Sequence, residues 1–441
     1  MEEIKTGVFK INSNKPIYII GDIHGDYQCL VHCLVDLCGV VDIKSIEHDN
    51  KFNEPRREIL EWKDKSDAIV VFCGDLIHRK RFQDTVLDDE HSDIYIIKTL
   101  FRLKIAAKRN LGDIIIISGN HEIMNIIEPS ESMYTSSKNI NSNCKYFSRS
   151  SFINNYISNT YAWIKINDIL IAHGGLCSDY LKFLDNENEI NKNIMIGGDD
   201  IIQFINNKYR SFFTNYSKEK FKTDNIGYKL FIEFDFKNKH KHNVFWCREW
   251  GYSGINCENF NEIIAKVGCN RMIIAHCPQF LSNDTPKMIN FECIDTNENT
   301  NTIEKFKIAR IDLGMSRSFE YNKHDKFIEY LSYNYHRKMS ILKLGWDSQI
   351  NNYYFNYDCV ITEKISCIQY LLIKYGVTKK EWDDKKILSD WLGFDYINKI
   401  IDTNNLKQYN DNFEKCISTN GSNDVLLCLL YPIYFSKSKL K

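Results

Sequence analysis

Five short runs of apolar residues have the pattern of strands in the interior of a sheet. They span residues 16–20, 68–73, 113–118, 169–172 and 271–275 and are rich in isoleucine or valine. The first three show no alternation of apolar and polar side chains and end in clusters of glycine and polar residues. The last two lead directly into a histidine. Continuous apolar runs of this length predict strands that are buried on both faces.

The segments between the first strands have the period of amphipathic helices. Leucine and isoleucine recur every three to four positions over residues 27–38 and again over residues 93–107. This period predicts a helix in each segment. Strands that alternate with helices imply a parallel sheet, so we expect a fold of the α/β class.

Two further regions lack strand motifs. Residues 177–243 are rich in asparagine, lysine and aromatic residues and contain little glycine or proline, which predicts a largely helical insertion. Beyond residue 322 only amphipathic segments are found, such as residues 363–375 and 385–401. We therefore expect a mostly helical C-terminal region over residues 322–441, after a first domain that ends at residue 321.

The composition is that of a soluble globular protein, with 26% charged and 43% hydrophobic residues among 441. Fifty-seven basic and 58 acidic residues give a net charge of -1, so we expect no nucleic-acid partner. The N-terminal ten residues carry two glutamates and two lysines, unlike a secretory signal. The longest apolar run, residues 425–435, contains Pro432 and is too short to cross a bilayer. We expect no membrane span.

The cysteines indicate a reducing environment. There are 15, an odd number, and no two form a Cys-x-x-Cys pair. This spacing favours neither a disulfide framework nor a zinc ribbon. We therefore expect free thiols and a cytoplasmic location.

A cluster of polar residues of one chemical kind follows each predicted strand. One such cluster is ordinary turn chemistry, but turn chemistry does not explain why every cluster contains a histidine. Carboxylate, amide and imidazole groups bind divalent metals, and the carboxyl ends of parallel strands lie at one edge of a sheet. The residues can therefore converge on a metal site. The clusters are Gly21-Asp22-Ile23-His24-Gly25, Gly74-Asp75-Leu76-Ile77-His78-Arg79, Gly119-Asn120-His121-Glu122, Ala172-His173-Gly174-Gly175 and Ala275-His276-Cys277-Pro278.

In this order the clusters resemble the calcineurin-like metallophosphoesterases, and within them the phosphoprotein phosphatases, with the nearest likeness to the Shewanella-like group. The likeness covers residues 17–319. It implies a calcineurin-like phosphoesterase fold: a central β-sandwich flanked by helices, here with a helical insertion and a C-terminal appendage. Motifs that match the family are Gly21-Asp22-Ile23-His24-Gly25-Asp26, Gly119-Asn120-His121-Glu122, Trp246-Cys247-Arg248, His276-Cys277-Pro278-Gln279 and Asp312-Leu313-Gly314-Met315-Ser316-Arg317.

The resemblance also implies a role for each motif residue. Two divalent metal ions are expected, most readily Mn²⁺, with Fe or Zn²⁺ as alternatives. His121 would be the general acid, and Arg79 and Arg248 would bind the phosphate of the substrate. The implied metal ligands are Asp22, His24 and His276 for the first ion, Asn120 and His173 for the second, and Asp75 as the bridge.

The implied reaction is hydrolysis of a phosphomonoester by a metal-bridging hydroxide. The expected substrate is a phosphorylated protein, with serine or threonine phosphatase activity foremost, or a small phosphoester. Hydrolysis of nucleotides or dinucleoside polyphosphates is one alternative. A pseudophosphatase that binds phosphorylated partners without turnover is another.

One position departs from the family pattern. The second motif usually reads Gly-Asp-x-x-Asp-Arg-Gly, whereas this chain has His78 at the second aspartate and Lys80 at the last glycine. A neutral His78 can orient His121 but does not hold a positive charge beside it as a carboxylate does. We expect lower activity or an optimum at lower pH.

Overall fold

The structure is a computed structural model. It describes residues 6–11, 14–47, 57–80, 91–129, 134–183, 197–214, 225–232, 243–279, 289–293, 306–316, 336–347, 352–356 and 360–364. The strands within these ranges are β1 (Val8–Phe9), β2 (Ile17–Ile20), β3 (Val41–Glu47), β4 (Arg57–Trp62), β5 (Ile69–Phe72), β6 (Asp113–Ile117), β7 (Thr160–Tyr161), β8 (Trp163–Ile166), β9 (Ile169–Ala172), β10 (Arg271–Ile274), β11 (Asn290–Glu292), β12 (Ile308–Arg310), β13 (His336–Ser340), β14 (Leu342–Asp347), β15 (Asn352–Asn356) and β16 (Val360–Lys364).

Two six-stranded sheets carry the core. One has the order β15-β14-β2-β5-β6-β7, with β2, β5, β6 and β7 parallel to their neighbours in that series. The other has the order β1-β8-β9-β10-β12-β11, with β9, β10 and β12 parallel. The five strands predicted from apolar runs are β2, β5, β6, β9 and β10, and nearly all their side chains are buried. The fold is therefore mixed α/β, as expected.

Helices follow the strands as the periodicity predicts. The helix expected over residues 27–38 begins as α1 and continues as a π-helical turn over Cys33–Leu37, and the one expected over residues 93–107 is α2. Asp26 caps α1 by accepting a hydrogen bond from the Cys29 amide at 3.0 Å. The helices are α1 (Tyr27–His32), α2 (Asp93–Arg109), α3 (Asn120–Ile127), α4 (Ser137–Phe147), α5 (Ser150–Asn159), α6 (Asp199–Phe213), α7 (Asn225–Phe231) and α8 (Cys257–Lys266).

The described part of the expected insertion, residues 177–243, is helical and packs against the core. Helix α6 places Asn206 against the start of β8, where its Oδ1 accepts from the Ala162 amide at 2.9 Å and its Nδ2 donates to Trp163 O at 2.7 Å. Tyr209 on the same helix shares a hydrogen bond of 2.9 Å with Thr160. Because these groups are buried, α6 is part of the core and not a detachable module.

The described residues beyond 322 differ from the helical expectation. Residues 336–364 include four strands, β13 to β16, and β14 pairs antiparallel with β2 so that Leu342 lies opposite Ile19. β14 therefore adds to the first sheet. The amphipathic segment of residues 385–401 lies outside the described residues. So does the segment of residues 363–375, except for its first two residues, which end β16. The domain division at residue 321 stays a prediction.

The expectation of free thiols is wrong for four cysteines. Disulfides join Cys177 to Cys247 and Cys257 to Cys293, across 70 and 36 residues. Sequence spacing does not reveal pairs that only the fold brings together. Seven other described cysteines are not joined by disulfides. None of the described helices combines the length and apolar composition that crossing a bilayer needs.

Candidate metal centre

The expected metal-binding residues come from the strand ends of both sheets. Asp22 follows β2, Asp75 follows β5, and Asn120 follows β6 as the first residue of α3. His173 and His276 follow β9 and β10 of the other sheet. Each of these side chains is buried. The structure therefore places them where the carboxyl ends of the parallel strands meet.

Asp75 lies at the middle of the group. Its Oδ2 is 3.3 Å from His173 Nε2, 3.7 Å from His121 Nε2 and 3.9 Å from His24 Nε2. Its Oδ1 accepts a hydrogen bond from the His121 amide at 3.0 Å. A carboxylate with imidazoles on several sides is suited to bridge two cations.

The remaining distances extend the group on both sides of Asp75. His24 Nε2 lies 3.6 Å from Asp22 Oδ2, and His173 Nε2 lies 2.8 Å from Asn120 Oδ1. His173 Nδ1 donates to the Cys73 carbonyl at 2.8 Å. This bond fixes the tautomer of His173 and turns Nε2 toward the site, as in many histidines that bind metals.

The donor set fits two divalent cations. Ligand atoms of His24, Asp75 and His121 lie within 4.8 Å of one another, and so do those of Asp75, His173 and His276. The two groups share Asp75. They differ from the expected assignment in two ways: His276 is grouped with His173, and His121, the expected general acid, is grouped with His24. They offer carboxylate oxygen and imidazole nitrogen, which suit Mn²⁺, Fe and Zn²⁺.

Strained backbone is concentrated at the same place. His24, Asp75, His78 and His276 all have positive φ, at 44°, 48°, 70° and 68°. This conformation costs non-glycine residues roughly 1–3 kcal/mol each and persists where the surroundings impose it. At Gly119 a Cβ would lie 2.2 Å from Asp75 Oδ1, so only glycine fits beside that carboxylate.

Glu122 holds the turn that carries Asp75. Its carboxylate accepts from the amides of Gly119, Asp75, Leu76 and Ile77 at 2.8, 3.0, 2.7 and 3.2 Å. Burial raises its pKa to about 7, with the Asp75 charge adding to the shift. The motif pattern alone assigns no role to Glu122. A glutamate three residues after Gly119, at the start of α3, was the available signal.

His78 lies against the expected general acid. Nδ1 of His78 and Nδ1 of His121 are 2.7 Å apart, a hydrogen-bond distance. The side-chain amide of Asn125 contacts the other ring nitrogen of His78. Burial lowers the pKa of His78 to about 4, although Asp75 and Asn125 oppose the shift. His78 is therefore neutral near pH 7.

Tyr134 packs over this histidine pair. Its ring centroid lies 4.8 Å from that of His121 and 6.2 Å from that of His78. Tyr134 and Asn125 were not predicted from the sequence, because neither belongs to a motif cluster. These contacts form only in the folded chain, where α3 carries Asn125 and the segment before α4 carries Tyr134.

The two expected phosphate-binding arginines have different surroundings. Arg79 is fully buried, and its Nη1 lies 3.2 Å from Asp26 Oδ2. Arg248 is half-buried and donates from Nη1 to Cys277 Sγ at 3.5 Å, beside His276. The structure thus brings Arg248 to the metal-site residues. The phosphate contacts of Arg79 and Arg248 both stay predictions.

Comparison with known proteins places this arrangement in a family. The calcineurin-like phosphoesterase family matches residues 15–248, more than half of the chain. The chain therefore belongs to the calcineurin-like phosphoesterases, and it is a metal-dependent phosphoesterase of that family. No curated protein sequence matches the chain.

Solved structures of phosphatases are similar to the chain, among them the following two. A cold-active protein-tyrosine phosphatase from a psychrophilic Shewanella species is 16% identical, with a TM-score of 0.49, and the match covers 82% of this chain and 83% of that one. A protein serine/threonine phosphatase from Saccharomyces cerevisiae is 14% identical, with a TM-score of 0.38 and coverage of 79% and 82%.

Proposed function

We propose that the chain hydrolyses phosphomonoesters on proteins, with phosphoserine and phosphothreonine as the foremost substrates. The observation that carries the proposal is the position of His121 between Asp75 and His78. The imidazole thus lies beside the group that would bridge the metals, where a leaving alkoxide needs a proton. Asp22, His24 and His276 would hold one ion and Asn120 and His173 the other, with Asp75 shared by both.

Each residue has a role in this scheme. The bound cations would supply an activated water and polarise the phosphoryl oxygens. His121 donates a proton from Nε2 to the leaving oxygen. His78 orients that ring through Nδ1, and it does so as a neutral imidazole because burial lowers its pKa to about 4. Arg248 binds the phosphate oxygens with its planar guanidinium group.

His78 also favours a second candidate, a pseudophosphatase. A neutral imidazole stabilises a protonated His121 less than a carboxylate does. The chain would then bind metal and phosphorylated partners without turnover.

The test is hydrolysis of a substrate panel with Mn²⁺ and with EDTA. The panel contains phosphoserine, phosphothreonine and phosphotyrosine peptides, ATP, a dinucleoside polyphosphate and p-nitrophenyl phosphate. We expect Mn²⁺-dependent release of phosphate, fastest from phosphoserine and phosphothreonine peptides, and a loss of about 10²–10⁴-fold in His121→Asn.

His32→Asn is the matched control, because His32 is a partly buried histidine that pairs with Asp36 at 2.7 Å and belongs to none of the motifs. A panel in which only ATP or the dinucleoside polyphosphate reacts would assign the chain to nucleotide hydrolysis. Phosphopeptide binding without any release of phosphate would support the pseudophosphatase.

A further inference from the structure

The segment of residues 243–256, which we call the Arg248 loop, packs against the candidate metal centre. The Trp246 ring lies 5.7 Å from the ring of His276, and Arg248 contacts Cys277. The segment consists of turns and contains neither helix nor strand. Regular backbone hydrogen bonds therefore do not fix its position. The Cys177–Cys247 disulfide and side-chain contacts do so.

Arg310 on β12 makes the most extensive of these contacts. Its Nε donates to the Trp250 carbonyl at 2.5 Å, and its Nη2 donates to the Tyr252 carbonyl at 2.7 Å. Nη2 also pairs with the carboxylate of Glu292 on β11. Arg310 is 1% exposed, so water does not compete for these bonds.

Glu292 contacts the next part of the same loop. Its Oε1 accepts from the Gly254 amide at 2.7 Å and from the Ile255 amide at 3.1 Å. One ion pair thus binds two carbonyls and two amides of the Arg248 loop. The rigid fork of an arginine can bind two carbonyls and a carboxylate together, which a lysine cannot do with the same geometry.

We propose that Arg310, with Glu292 as its partner, is a positioning residue for phosphate binding by Arg248. Arg310 does not itself contact substrate; it fixes the backbone from Trp250 to Ile255. The backbone links this stretch to Arg248, because the Gly251 amide donates to the Arg248 carbonyl at 3.1 Å. A displaced stretch would therefore move Arg248 through this turn. The inference rests on the proposed function, in which Arg248 binds phosphate.

The test measures the affinity of inorganic phosphate for the Mn²⁺-loaded protein by calorimetry, together with KM and kcat for p-nitrophenyl phosphate. Arg310→Met is expected to raise the phosphate Kd and the KM by about tenfold, with kcat and bound metal unchanged. Arg310→Lys is expected to restore part of the affinity. The control is Arg271→Met on β10 of the same sheet, where Arg271 lies 3.9 Å from Asp168; its phosphate affinity should be that of the wild type.

A double variant separates positioning from general destabilisation. If Arg310 acts through Arg248, the double variant that carries both Arg248→Met and Arg310→Met should bind phosphate as tightly as Arg248→Met alone. A further tenfold loss in the double variant, or wild-type affinity in Arg310→Met, would overturn the proposal.

Two provisions keep this test decisive. If Arg310→Met does not fold, Glu292→Ala at the half-buried partner replaces it. We expect this variant to lose about threefold in phosphate affinity. Wild-type phosphate affinity in Glu292→Ala would contradict the inference. Phosphate binding does not require turnover. A wild type without phosphatase activity would thus contradict the proposed function while the effect of Arg310 is still measured.

Discussion

Two irregular segments border the candidate metal centre, and they are held in place in different ways. The turn of residues 74–80 is fixed by Glu122, which accepts three of its amides and belongs to the same motif as Asn120 and His121. The Arg248 loop is joined to Cys177 by the disulfide at Cys247. It is also held by Arg310, Glu292 and Gln279, and the Nε2 of Gln279 donates to Gly251 O at 3.0 Å. Glu122 belongs to one of the motifs that build the site. Arg310 and Glu292, in contrast, lie on strands β12 and β11 outside those motifs.

The arginines on these two segments show the same contrast. Arg79 is fully buried beside Asp26, which caps α1, whereas Arg248 is half-buried beside Cys277. A buried ion pair mainly affects stability when one partner is removed. A half-buried arginine near the site mainly affects ligand binding. Substitutions at the two positions should therefore separate folding from affinity.

The largest expected effect on stability is that of Arg79→Met. Removal of the guanidinium leaves the Asp26 carboxylate buried without that cation, and the free energy of unfolding should fall by about 3–5 kcal/mol. Urea denaturation of the metal-free protein measures this. Arg248→Met, the comparison, should change stability by less than about 1 kcal/mol. If Arg79→Met has wild-type stability but binds phosphate more weakly, Arg79 binds substrate and does not stabilise the fold.

A smaller effect concerns pH and His78. The folded pKa is about 4 and the ordinary value is 6.5, so between these values the unfolded chain binds a proton that the folded chain does not. Stability is therefore lost as pH falls from 7 to 5, by about 2 kcal/mol from this group. His78→Asn should reduce that loss in urea denaturation with EDTA. An equal loss in wild type and variant would contradict the burial of a neutral His78.

The sequence predicted the strands and the donor set because both depend on local pattern. Runs such as residues 113–117 have no polar alternation, and the polar cluster directly after each run marks its carboxyl end. Parallel pairing then brings Asp22, Asp75 and Asn120 to one edge without further information. Helices α1 and α2 follow from their period in the same way.

The features that the sequence did not predict depend on distant contacts. The pairing of Cys177 with Cys247 and the burial of Arg79 against Asp26 each join residues that no local pattern relates. The pattern of residues 336–364 did not predict strands, and β14 is stabilised there by its pairing with β2. Tertiary pairing overrides a weak local period in such segments.

The central claim is that Asp75 is shared by two metal ions. The most direct measurement is the number of Mn²⁺ ions bound per chain, with p-nitrophenyl phosphate turnover, in wild type, Asp75→Asn and the control Asp168→Asn. We predict two ions in wild type and in the control, and fewer than two in Asp75→Asn with turnover lower by roughly 10³-fold. Two tightly bound ions and normal turnover in Asp75→Asn would contradict the account.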